Sequence, residues 1–235
     1  MRPALLDNIS HQALHLDPAP SAAYGDDLAA VPTVPAEFRL LQGCFPIVFQ
    51  AGSGDLPFQP VALMSLSGTG NLFLGPEGWE APHLPWAMER QPLMVGRDAT
   101  QWVVHIDLDS PRLSMRDGER GGEPLFLPQG GLSPLLERRI GVLQALHDGL
   151  QTLPAFIATL LRLELLEPMA LDLPRPEGGT RRIGGFHVIH EERLAALPGD
   201  VVAELHERGD WLPLAMAVAS LSRFGDLVQR DQRRG

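Results

Sequence analysis

From Phe38 to about Leu127 every apolar run is cut short by glycine, proline or polar residues, and this punctuation constrains the fold more than any other feature of the sequence. The runs "FRLLQ", "PIVFQ", "QPVALMSL", "NLFL", "WVVHIDL" and "EPLFL" have the length of strands and are too short for core helices. Between them, "AGSGD" and "SLSGTGN" supply residues that tolerate the backbone angles of hairpin turns. The spacing predicts a mostly antiparallel β region. At Gly130-Gly131 the pattern changes. Ser133 suits a helix N-cap with Pro134 in the first turn, where a missing amide costs nothing. Leu136, Ile140, Leu143 and Leu150 then recur at helical spacing, with a break expected at Pro154 before the helix resumes through "AFIATLLRLELL". Two more strand-like runs follow, "MALDL" and "IGGFHVI", and then helical "EERLAAL" and "DVVAELHERG". A last helix is predicted from Trp211 to about Arg230, presenting Trp211, Leu214, Ala215, Val218 and Leu221 on one side. The fold class is therefore α+β, with a mostly antiparallel β region in the N-terminal half and helices concentrated in the C-terminal half. Residues 1–35, rich in Ala, Pro and Asp, read as an extended N-terminal arm, and 36–235 as a single domain.

Charge removes several function classes. All 19 basic residues are Arg, so neither a Schiff-base lysine nor a P-loop lysine is available. With 29 acidic residues the net charge is −10, which repels phosphate backbones at long range, and no nucleic-acid partner is expected. The N-terminus has one Arg and no continuous apolar stretch, so no signal peptide is expected. No window approaches the run of about 18 apolar residues that a membrane span requires. These features predict a cytoplasmic protein. A lone cysteine, Cys44, lies in the apolar "GCFPIVF" and reads as a buried structural thiol.

The stretch "QWVVHIDLDSP" raises the question of metal chemistry. On a strand, Trp102, Val104, Ile106 and Leu108 share one face and His105, Asp107 and Asp109 the other. His105 and Asp107, with His187 of "GGFHVIH" as third ligand, would match the facial triad of a non-haem Fe(II) oxygenase. Against it, the interval between the pair and His187 is largely helical, and there is no Lys near His187 to hold a co-substrate. A wetted strand face is the favoured reading, so no cofactor is expected and Fe(II) belongs to the alternative alone. "HVIHEER" places Glu191 outside its histidine pair, unlike a zinc protease, and His190 with Glu191 reads as the start of a helix. His147 falls on the apolar stripe of the long helix and reads as a core histidine, while nothing in the sequence pairs His11 or His15 with an acid. "GPEGWEAPHLPWAMERQPL" gathers Trp79, His83, Trp86, Met88 and Arg90 in one proline-punctuated connection, the residue types that recognition loops use.

Several blocks together carry a resemblance. "AEF", "PIVF", "PVALMSL", "NLF", "IDLDSPRL" and "GEPLF", then "LQTLPAFIATLLRLELLEP", "GFHVIHEERLAALP" and "LAMAVASLSRFGDLV", occur in an order that resembles the SapC family of bacterial proteins, from about Glu37 to Val228. The sequence departs from the family at "GWEAPHLPWAMERQP", where relatives tend to carry more Tyr and Trp. The family is named from surface-layer gene clusters, and similar proteins are encoded beside outer-membrane uptake receptors and tryptophan-halogenase-like enzymes. The resemblance thus implies a binding or accessory role more than a reaction. A structural role in surface-layer assembly ranks below it, for want of an export signal. Asp107, inside the shared block "IDLDSPRL", joins Trp79, His83, Trp86 and Arg90 as the candidate ligand-binding set. The expected partners are a small-molecule ligand, and a protein partner or second copy meeting the C-terminal helix.

Overall fold

The computed structural model describes residues 1–98, 101–115, 122–174 and 179–234. The chain divides into two compact units, one of Met1–Asp27, Leu74–Glu80 and Trp86–Asp148, the other of Leu28–Phe73, Ala81–Pro85 and Gly149–Gly235.

In the first unit the strand Gln101–Asp107 lies between Pro3–Leu5 and Leu93–Asp98, antiparallel to both. Strand alternation turns Trp102, Val104, Ile106 and Leu108 onto a core that includes Leu16, Leu93, Leu125, Leu136 and Leu143, as the sequence predicts. Each fully buried Leu or Ile there contributes about 1.5–3 kcal/mol. A second three-stranded sheet sets Leu14–Leu16 between Leu113–Met115 and Glu123–Pro124. Residues 1–35, expected as an extended arm, supply an edge strand to one of these sheets, the central strand of the other, and a third strand, Ala30–Pro32, to the second unit. Ser133 caps the helix Pro134–Arg162, its hydroxyl accepting from the Leu136 amide at 3.2 Å.

The second unit is built on a five-stranded antiparallel sheet in the order Leu166–Pro174, Thr180–Ile189, Ile47–Ala51, Phe58–Leu63, Ala30–Pro32. "AGSGD" is the connection of the central hairpin, with Gly54 at φ 60°. Gly184 and Gly185 stand opposite the single Ala170, a bulge that Gly185 completes at φ 91°. Stacking of Phe186 on Phe224 ties the last helix to this sheet, edge-to-face contact of Phe38 with Phe156 joins two helices, and Phe45 meets Phe73 between connecting segments. His190 caps the helix Glu191–Ala195 by accepting from the Arg193 amide, and Glu191 and Glu192 occupy the first turn, where acids suit the dipole.

Several local expectations are corrected. "FRLLQ" is not a strand: Phe38–Leu41 is a helical turn, because Phe38 and Leu41, three apart, are both buried while Leu40 points outward. "NLFL" is mostly irregular, with only Leu74 entering a short strand, Leu74–Gly75. Arg230 and Arg234 instead hold the carbonyls of Leu72 and Asn71. "EPLFL" gives a strand only over Glu123–Pro124. The long helix does not break at Pro154 but runs from Pro134 to Arg162. The carbonyl that proline leaves unbonded belongs to Leu150, an exposed residue that water reaches. It ends before "LELL", where Glu164 takes φ 51° and the amides of Leu165 and Glu164 return to the carbonyls of Leu160 and Leu161. The final helix is two, Trp211–Ser220 and Phe224–Arg234, joined by a 3-10 turn. Its buried stripe is Leu214, Ala217, Ser220, Phe224 and Leu227, rotated from the predicted one.

Candidate functional site

His105 and Asp107 do share the face of their strand opposite the core, where Asp107 Oδ1 holds two backbone amides and the His105 ring packs over a glycine. Asp107 accepts from the Arg2 amide at 2.7 Å and the Asp109 amide at 3.1 Å. The Arg2 amide foremost, with the Asp109 amide and the positive charge near Arg2, holds its carboxyl below the ordinary 3.8. A lowered folded value means this carboxylate stabilises the fold above 3.8 and stops doing so as the pH falls through that lower value. Denaturant titrations across the acid range should therefore show less acid-induced loss in Asp107→Asn than in the parent chain.

The His105 ring lies over Gly96 on the neighbouring strand, where a Cβ would stand 1.8 Å from its Nδ1. Gly96 is thus a slot for the imidazole. Gly96→Ala should displace His105 and lower stability by about 1–3 kcal/mol, measurable by urea unfolding. His187, the third residue of the proposed triad, belongs to the second unit, where its ring meets the edge of Phe58 at 4.8 Å between centroids. Among the described residues no group of three His, Cys, Asp or Glu side chains is placed to hold a metal.

The aromatic connection does not act as one loop. Trp79 sits in the short strand Gly78–Trp79, paired with Leu74, and Trp86 opens the helical turn Trp86–Glu89, both in the first unit. Arg90, also there, donates to the Leu93 carbonyl at 2.7 Å, and burial pushes its guanidinium below the ordinary range. His83 belongs instead to the second unit, where its Nε2 lies 2.9 Å from Glu37 Oε1. Glu37 is fully buried and its other oxygen accepts from Thr33 Oγ1 at 2.7 Å. Burial pushes the Cys44 thiol up, against a smaller opposite effect of the His83 amide, which suits an unreactive sulfur.

Sequence reasoning missed three polar clusters. Glu37 with His83 is one, flagged only by an acid inside "PAEF". The second lies in the first unit: Arg112, from "IDLDSPRL", pairs with Asp26 and donates to the Ala19 carbonyl at 3.0 Å, and both side chains are buried. Arg112 also lies over the Tyr24 ring, 4.9 Å from its centroid. Nearby Arg139 gives hydrogen bonds to the carbonyls of Glu89 and Gln91, and burial pushes its guanidinium down to about 10, which leaves it charged at neutral pH. The third corrects the reading of His11. Asp7, four residues earlier, does pair with it, at 3.5 Å between carboxylate and Nδ1.

Fold and site define an α+β protein on antiparallel sheets whose candidate polar side chains are largely fastened to its own scaffold. The chain belongs to the SapC family, whose sequence profile matches residues 6–227 of 235. That match begins well before Glu37 and takes in the strands Leu14–Leu16 and Ala30–Pro32. No curated protein and no solved structure matches the chain. Among the described residues no helix is long and apolar enough to cross a membrane.

Proposed function

We propose that this SapC-family chain is a cytoplasmic binding or accessory protein without covalent chemistry of its own, serving an outer-membrane uptake receptor or a halogenase-type enzyme. The observation that supports it is the employment of the polar candidates: Asp107 holds two backbone amides, Arg90 a carbonyl, and His83 a buried glutamate. A general base or nucleophile needs a proton-accepting atom turned toward substrate, and these atoms are turned toward the fold. A partner meeting the C-terminal helices would find Trp211, Ala215, Val218 and Leu221 half-buried and Leu212 exposed.

A thermal screen of sugars, indoles, organic acids and flavins tests the binding role. It should find a compound whose stabilisation grows with concentration, and a flat response to every class would contradict it. The Fe(II) oxygenase alternative has one observation in its favour, the shared face of His105 and Asp107. It requires iron in protein purified without chelator, and loss of that iron in His105→Ala.

A further inference from the structure

We propose that the first unit carries a groove for a small amphiphile, an apolar body ending in a carboxylate, with Arg2 and His11 receiving the charged end. This deepens the binding role proposed above and rests on it. The groove encloses about 430 Å³, within the range of about 300–1,000 Å³ usual for small-molecule sites. Leu14, Leu108, Leu113 and Met115 form its apolar wall, and Arg2 and His11 bring polar groups to it. Among the described residues no carboxylate lines it.

His11 is the telling residue. It is only 6% exposed. Asp7 occupies one side of its ring: Nδ1 lies 3.2 Å from the Asp7 carbonyl and amide and 3.5 Å from the carboxylate. Asp7 is itself fixed, accepting from the amides of Ile9 at 2.8 Å and Ser10 at 2.7 Å. Those two bonds, Ser10 foremost, hold its carboxyl below the ordinary range, so it stays ionised beside the imidazole. Among the described residues nothing partners Nε2, the nitrogen the ring has left to offer the groove. His11 lines the groove, so a ligand oxygen there can accept from this nitrogen. With the Asp7 amide donating to Nδ1, the proton of the ring lies on Nε2, where it can be donated to a ligand oxygen. Arg2 touches Asp109 through Nε at 3.4 Å, which leaves its terminal nitrogens for a ligand carboxylate. The thioether of Met115, on the exposed rim, suits a planar or flexible apolar body.

Calorimetric titration of the full chain with phenylbutyrate and with phenylbutanol, its neutral counterpart, tests the proposal. Phenylbutyrate should bind with a Kd below about 1 mM, and phenylbutanol at least about tenfold more weakly. Met115→Asp changes a side chain that is 61% exposed, so the fold should keep its thermal midpoint. The added negative charge should weaken phenylbutyrate by about tenfold. His11→Gln should weaken it similarly, and the His11 imidazole resonances of the parent chain should move on titration. Equal affinity for acid and alcohol, binding untouched by Met115→Asp, or no heat up to about 10 mM would overturn the groove. A compound from the thermal screen whose effect survives Met115→Asp would also overturn it, while leaving the binding role standing. A silent screen would remove the binding role as well.

Discussion

Arg112→Met is expected to lower the stability of the first unit by about 3–5 kcal/mol, the usual cost of removing one partner of a buried ion pair. Asp26 has no exposure and Arg112 almost none, so the abandoned carboxylate would find no water. The loss would also free the Ala19 carbonyl and uncover the Tyr24 ring, whose hydroxyl donates to Asp17 at 2.7 Å. These contacts together fasten residues 17–26 to the end of the strand that carries the shared block. Asp26→Leu combined with Arg112→Met should recover part of the deficit, because an apolar pair carries no uncompensated charge. Recovery should be incomplete, since Asp26 also accepts from the Ser21 amide at 2.8 Å. Urea unfolding of the two single variants and the double variant measures this. A double variant less stable than both singles would show that the pair is not the organising contact.

Glu37→Ala should cost about 3 kcal/mol in the second unit, from lost bonds to a charged group and from the polar atoms left behind. Thr33 and His83 would both lose their partner in a region where Glu37 is fully shielded. The segment Ala81–Pro85 belongs to this unit although the chain on either side of it belongs to the other, and the His83 contact with Glu37 is one of its anchors. Proteolysis in the 81–85 region should accordingly quicken in Glu37→Ala. Glu37→Gln, which keeps an acceptor for one neighbour, should cost less, about 1–2 kcal/mol. If Glu37→Ala unfolds like the parent chain, the buried carboxylate is not a structural anchor.

What the sequence showed and what it hid follow the range of the interactions concerned. Strand alternation is local, so the core face of Trp102, Val104, Ile106 and Leu108 could be read directly. So could the caps at Ser133 and His190, each of which depends on residues within one turn. Phe38–Leu41 was misread because a turn of helix and a short strand offer the same apolar run, and burial of Phe38 with Leu41 decides between them. Pro154 was overestimated as a breaker because the exposure of Leu150 depends on tertiary packing. The site was harder still. Nothing adjacent in sequence joins Arg112 to Asp26 or His83 to Glu37, and the division of the aromatic connection between two units is a property of the fold. Asp7 and His11 lie only four apart, but on an arm read as extended there was no turn to bring them together.

Native mass spectrometry of protein purified without chelator tests most directly whether this chain binds without catalysing. The expected result is a bound organic molecule or a partner polypeptide, with no stoichiometric transition metal. A full equivalent of iron, present in the parent and absent from His105→Ala, would contradict it.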